Sequence, residues 1–317
     1  MSNSESNHYL ISPAQDYTFI AGSAIIGYAV LALMAFGVVS IAPFSMFLLL
    51  ILEAPHIFGT WTRSYLDPEH REKLGKRVLW QIVPLCLAPP LFILAGAQVV
   101  FYVLTVCWLH SHVAKQHVGF LALYKRKAGE FDDMWFETKF YKIMLYVPVI
   151  FFLLHKRIGL EGYMIAGAVA LVPMLWFTLR QYENKRLSLS PKLVLMATTI
   201  PLQWLAFGFA ITHPNGAKAA GVVLAFSHTI QYHRLNVLYH KEDAKTAQTR
   251  KLWHSFAGYA VVAIVLNFAL YLIPGALINN ELALSMFWGM IFQHYLLDAK
   301  IWKTKDFPIF AKSLKLA

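Results

Sequence analysis

Ser227–His240 reads SHTIQYHRLNVLYH and closes an apolar run that begins at Ala219. Helical periodicity puts His233 and His240, seven residues apart, on one face, and His228 one turn before Gln231 and Tyr232. The stretch predicts a single helix of membrane length whose last half carries three imidazoles and an amide. Such groups are expensive in lipid and usually functional there. At 1.5 Å per residue His228 stands about 18 Å from the helix end, too deep for a headgroup contact. His240, at the very end, reads as readily as a headgroup contact as a ligand.

The composition around this stretch sets the class. Hydrophobic residues make up 58% of the 317 and charged residues 14%, too little polar surface to cover a soluble fold. The expected class is all-α, a polytopic membrane bundle. A net charge of +11 raises nucleic acid as a partner, but the basic residues fall in short clusters between apolar runs, and no nucleic-acid partner is expected. Cys86 and Cys107 lie inside apolar runs with no metal-binding spacing. The polar N-terminus lacks a basic region, so no cleavable signal is expected.

Apolar segments of spanning length recur along the whole chain. They cover 19–41, 44–61, two spans within 78–117, one ending near His155, then 160–179, 192–212, 219–239, 252–273 and 282–297. That makes about ten transmembrane helices, with Pro84, Pro89, Pro90 and Gly96 offering the turn inside 78–117. The implied organisation is a polar N-terminus (1–18), one transmembrane domain (19–298) and a basic tail (299–317). Alternating spans put all 28 lysines and arginines except Lys156, Arg157 and Lys218 on one side. The positive-inside rule then makes that side, and both termini, cytoplasmic, and the setting a bacterial inner membrane.

The histidines follow the same asymmetry. His56 ends the second run, His110, His112 and His117 the fourth, His228 and His233 the eighth, and His294 the tenth. Glu53 and His56 are an i,i+3 pair, a spacing with which one helix offers two ligands or closes a local hydrogen bond. His110 and His117 share a face. His294 and Asp298 are four apart, and Asp298 is a candidate ligand, a partner for the distal N–H of an imidazole, or a salt-bridge partner of a nearby lysine. The candidate metal ligands are therefore Glu53, His56, His110, His112, His117, His228, His233 and His294. Gln231, Tyr232 and Asp298 are candidates for orienting water, O2 or a ligand imidazole, and Thr60 stands one turn beyond His56. In YLDPEHR, Asp67, Glu69 and His70 read as a helix-capping turn.

Imidazoles with a few carboxylates and no thiolate suit iron, copper, manganese or zinc and exclude iron–sulfur centres. Structural zinc needs four ligands and haem one or two histidines, so non-haem iron, as one or two ions, uses the set best. Its open positions bind O2. Lipid-facing helices around such a site imply a long apolar lipid or isoprenoid substrate, hydroxylated, desaturated or cleaved. No flavin or ferredoxin motif is present, which leaves the electron donor to a separate protein. The alternative is a membrane carrier passing protons or metal ions along the histidines. It would place polar residues through the full membrane depth, whereas here the outer halves of the runs are nearly bare of them. A b-type cytochrome is a third class, recognisable by its Soret band.

Pro55-His56 with Gly59 near it, Trp108-Leu109-His110-Ser111-His112, and His294 with Asp298 resemble the dispersed motifs of histidine-rich membrane iron oxygenases, most nearly the Brp/Blh-type β-carotene dioxygenases. The likeness covers about forty residues, and Ser227–His240 has no counterpart in it. The histidine number also resembles that of membrane desaturases and hydroxylases, but their HxxHH clusters are absent. These resemblances imply a ferrous site activating O2 against a lipid.

Overall fold

The computed structural model describes residues 9–183, 190–242, 280–306 and 308–316, with isolated positions 261 and 265. Every regular element among them is helical. A turn, Pro13–Gln15, and π-helical Asp16–Ile20 lead into α1, Ser23–Ala35. Helix α2, Ile41–Leu48, passes through π-helical Leu49–Glu53 into α3, Ala54–Trp61, which continues as π-helical Thr62–Leu66. Then come α4 (Pro68–Trp80), α5 (Ile82–Leu94), α6 (Gln98–Ala128), α7 (Met134–Glu183), α8 (Pro191–Thr212), α9 (Gly216–Glu242), α10 (Asn280–Ile301) and α11 (Pro308–Ser313).

The expected apolar runs are helical wherever the structure describes them, but the expectation of about ten membrane spans needs correcting. Among the described residues four segments are long and apolar enough to cross a membrane: Pro13–Ala35, Pro68–Leu94, Met134–Gln181 and Pro191–Thr212. Helices α6, α9 and α10, at 31, 27 and 22 residues, have the length for a ~30 Å core. They are also the helices that carry most of the candidate histidines, together with lysines and amides, and polarity rather than length sets them apart. The expected span 252–273 lies outside the described residues. Apolar side chains stay exposed along these segments, among them Leu91 and Leu94 in α5 and Ile165, Val169 and Val172 in α7, a surface compatible with lipid.

One turn differs in detail from expectation, and another falls in the gap expected between the runs ending near His155 and beginning at 160. Of the residues offered for the turn within 78–117, Gly96 makes it, in the left-handed region at φ 68°, while the three prolines sit inside α5. Pro84 occupies the first helical turn, where no backbone N–H is needed. The second turn is Gly159, with φ 70° and ψ 177°, which breaks α7 in two. The halves fold back on one another: Gln181 Nε2, near one end, donates to Glu137 Oε1, near the other, at 2.8 Å.

The chain divides into two compact units, Met1–Met46 with Leu109–Gln231 and Phe47–Trp108 with Tyr232–Ala317. In the first, buried Lys125 donates to buried Glu137 at 2.7 Å, and Lys192 pairs with Glu130. These pairs tie the end of α6, the start of α7 and the start of α8 together. A buried pair of this kind repays its desolvation only when each charge is well hydrogen-bonded, and Gln181 supplies the second bond to Glu137. Tyr141 and Thr199 share a buried hydroxyl hydrogen bond at 2.6 Å, and Tyr28 donates to the Thr198 carbonyl at 2.7 Å.

In the second unit Leu74, Leu79, Leu297 and Ile301 form a core flanked by Trp61, Tyr65, Val78 and Trp302. Gln293 of α10 donates to the Val78 carbonyl at 3.1 Å and to Tyr65 at 3.2 Å. Pro89 deprives the Leu85 carbonyl of its helical donor, and Gly289 packs its bare Cα against that stretch. A Cβ at Gly289 would overlap the Leu85 oxygen and Cys86 backbone, so only glycine permits this approach of α10 to α5. Gly289→Val should therefore destabilise the protein by about 1–3 kcal/mol through overpacking. The check is a lowered unfolding temperature in detergent, with Gly289→Ala falling between variant and parent.

Candidate metal centre

The second unit contains the more complete site, and it begins with Pro55. Proline at this position interrupts the i→i−4 ladder, and the chain is π-helical just before it, over Leu49–Glu53, the wide turn that often accompanies functional helices. The Leu52 carbonyl in that turn accepts from His233 Nε2 at 3.1 Å. Beyond it, Glu53, His56 and Thr60 fall on one helical face at i, i+3 and i+7. His56 Nδ1 lies 3.5 Å from Glu53 Oε2, the i,i+3 relation expected from the spacing.

Helix α10 meets this face with His294 and Asp298. His294 Nε2 is 3.6 Å and His56 Nε2 3.7 Å from the same oxygen, Asp298 Oδ2. The two rings stand nearly perpendicular, at 88°, with centroids 4.3 Å apart. On the other side, Thr60 Oγ1 donates its one proton to Asp298 Oδ1 at 2.6 Å. The same oxygen can then only accept from its remaining neighbours, Tyr232 Oη at 2.6 Å and His294 Nδ1 at 2.8 Å. The proton of His294 is thus on Nδ1, and its Nε2 lone pair faces Asp298 Oδ2. His56, Thr60, Tyr232, His294 and Asp298 are all buried, and the Tyr232 ring packs on the His56 ring at 4.0 Å.

Two imidazole nitrogens and a carboxylate oxygen therefore converge at separations too long for hydrogen bonds. Ligands bound at about 2.0–2.1 Å to one tetrahedral ion stand on the order of 3–3.5 Å apart, within a few tenths of an ångström of what is found. The donor set is nitrogen and oxygen without sulfur, and it fits a first-row divalent metal.

The first unit contains an imidazole pair of its own. His112 Nε2 and His228 Nε2 face each other at 3.2 Å, with the rings inclined at 74°. Gln116 Nε2 donates to the His228 carbonyl and to Gln231 Oε1, each at 2.9 Å. Gln231 in turn donates to the Ile20 carbonyl at 2.8 Å and to Ser23 Oγ at 3.0 Å. The Gln231 carboxamide, considered for orienting water or O2, thus ties α9 to α6 and to the entry of α1.

Among the described residues of the second unit, His56 and His294 are the histidines that could share a metal ion, and in the first unit His112 and His228 are. Glu53 stands beside His56, and Asp298 faces His56 and His294. His110 donates from Nε2 to the Leu145 carbonyl at 2.9 Å and packs on Tyr146 and Phe207, joining α6 to α7. His117 is buried within electrostatic reach of His110. His233 is turned to Leu52, its ring centroid 6.1 Å from that of His56.

The capping turn is present as expected: Asp67 accepts from His70 N at 3.0 Å at the start of α4. Burial alone would raise the Asp67 carboxyl, but hydrogen bonds from His70 and the charge of Arg63 hold it below the usual carboxylate range. Arg63 is a residue whose role sequence reasoning missed, counting it only among the basic residues of one side. It is fully buried, its guanidinium 4.0 Å from the ring centroids of both Tyr239 and Trp302, and it donates to the Ile301 carbonyl at 3.2 Å. Its two ring partners are far away in the chain, so no local spacing announces the sandwich.

Compared with family models, curated proteins and solved structures, the chain matches none of them. Replacing Gln231 by Leu should cost about 1–3 kcal/mol, because Gln116 and the Ile20 carbonyl lose buried partners. Metal content per folded chain should not change. Loss of metal at unchanged stability would instead make Gln231 part of the centre.

Proposed function

We propose that this protein is an integral-membrane, metal-dependent oxidoreductase, with iron held by His56, His294 and Asp298 of the second unit. The observation that carries the reading is the convergence of His56 Nε2 and His294 Nε2 on Asp298 Oδ2. Two imidazole nitrogens and a carboxylate oxygen buried together are an arrangement that a cation stabilises. When bound, ferrous iron with open positions supplies activation of O2. The chain's own groups do the rest. Thr60 keeps the His294 proton on Nδ1, Tyr232 bonds Thr60 and packs its ring on His56, and Glu53 lies beside His56. The exposed apolar flanks of the crossing helices suit a substrate that arrives from lipid, which favours a fatty acyl or isoprenoid chain over a water-soluble one.

The same reading takes in the resemblance to Brp/Blh-type membrane oxygenases, which rests on His56, His110, His112, His294 and Asp298. It places the basic connections and both termini in the cytoplasm of a bacterial cell and takes electrons from a separate donor.

The test is metal content of the detergent-purified full chain by inductively coupled plasma mass spectrometry, in parent and in a His56→Ala/His294→Ala variant. A stoichiometric first-row metal in the parent, dominated by iron, should be lost from the variant. Equal metal in both would remove these two residues from the centre. Metal far below stoichiometry in the parent would remove the centre itself and favour a carrier. A parent that binds iron but consumes no O2 with any lipid or isoprenoid offered would end the oxygenase reading.

A further inference from the structure

We infer that Thr60 is the positioning residue of this centre, its single hydroxyl setting the tautomer of His294 and holding the Asp298 carboxylate in place. The inference rests on the metal reading above and deepens it. Thr60 is fully buried, and its Oγ1 has three neighbours at hydrogen-bond distance: Asp298 Oδ1 at 2.6 Å, Tyr232 Oη at 2.6 Å and His294 Nδ1 at 2.8 Å. A hydroxyl has one proton and two lone pairs. An ionised carboxylate only accepts, so the Thr60 proton goes to Asp298, and both lone pairs receive protons from Tyr232 and His294. The capacity of the oxygen is used completely, with no freedom in direction.

Three consequences follow for the centre. His294 must carry its proton on Nδ1, which leaves Nε2 as the atom 3.6 Å from Asp298 Oδ2. Asp298 is pinned through Oδ1, so that Oδ2 is the oxygen directed at both Nε2 atoms. Tyr232, committed as a donor to Thr60, keeps its ring against His56 at 4.0 Å. One atom thus orients a ligand imidazole and a ligand carboxylate simultaneously, a role in which removal of the supporting group typically weakens metal binding 10–100-fold. A methyl in place of the hydroxyl keeps the volume but cannot do this. Valine would leave His294 Nδ1 and Asp298 Oδ1 without this partner.

The experiment compares the full-length parent with Thr60→Val, Thr60→Ser and Tyr232→Phe in detergent. The first readout is cobalt(II) affinity by chelator competition, together with the ligand-field absorption of the cobalt-loaded protein. Thr60→Val should bind 10–100-fold more weakly with an altered spectrum, while Thr60→Ser should stay within a few-fold of the parent with the parental spectrum. Tyr232→Phe, which leaves the bonds to His294 and Asp298 intact, should also stay within a few-fold. Parental affinity in a folded Thr60→Val protein would overturn the inference and leave the metal reading standing. Failure of the parent to bind any metal would sink the metal reading first. The second readout needs no variant to fold: nitrogen-15 chemical shifts of labelled histidine in the metal-free parent should report His294 protonated at Nδ1, and an Nε2 proton would overturn the proposal.

Discussion

Asp298 is the residue around which the second unit makes physical sense. A carboxylate taken out of water costs several kcal/mol even after the surroundings relax, and here its two oxygens are served differently. Oδ1 receives the Thr60 proton, and Oδ2 is presented to two imidazole nitrogens. For that division to hold, α10 must sit at one height and one rotation against α3. The height is set away from the centre, where Gly289 seats α10 against Leu85 and Cys86 and Gln293 bonds the Val78 carbonyl. His294 and Asp298 follow five and nine residues after Gly289, one turn apart, on the face that reaches Thr60. Packing too tight for any side chain at Gly289 thus supports the precision of a polar contact about nine residues away along the helix, some 13–14 Å at 1.5 Å per residue.

The other half of the geometry comes from α3. It is bounded on both sides by π-helical turns, Leu49–Glu53 and Thr62–Leu66, and each widens the helix at a point where the regular ladder is not followed. On the early side the Leu52 carbonyl is bonded to His233. On the late side Arg63 is drawn inward between Tyr239 and Trp302 and does not reach solvent with its charged neighbours in sequence. Between the two lies a regular stretch of eight residues, Ala54–Trp61, long enough to carry His56 and Thr60 on one face. Local irregularity is concentrated at the ends and regularity kept where ligands are placed.

How much of this the sequence disclosed depends on how local the physics is. Helix positions and the Gly96 turn follow from apolar runs and breakers, and the Glu53–His56 and His294–Asp298 relations follow from helical spacing. The Asp67 cap follows from a four-residue pattern. Membrane-span number does not, because length alone does not make a segment apolar enough to cross, and α6, α9 and α10 have the length but carry histidines, lysines and amides along it. Nor could spacing choose among the histidines. His110 and His112 are two residues apart, yet one is turned to the Leu145 carbonyl and the other to His228, a difference decided by which helices they meet. Arg63 illustrates the same point for charge: composition places it in a basic segment, whereas two aromatic rings from distant helices place it in the interior.

Charge balance narrows what the second unit can hold. Arg63 is within electrostatic reach of Asp67 and of Asp298, and Asp67 lies beside His70 as well. Two carboxylates, Asp298 and Glu53, flank the buried His56 imidazole. In a low-dielectric interior, where net charge is penalised most, such a pair calls for a positive charge between them, and a proton on the imidazole or a bound cation answers that demand in the same place. The two compete for the same nitrogen lone pairs, so the arrangement couples cation binding to release of a proton.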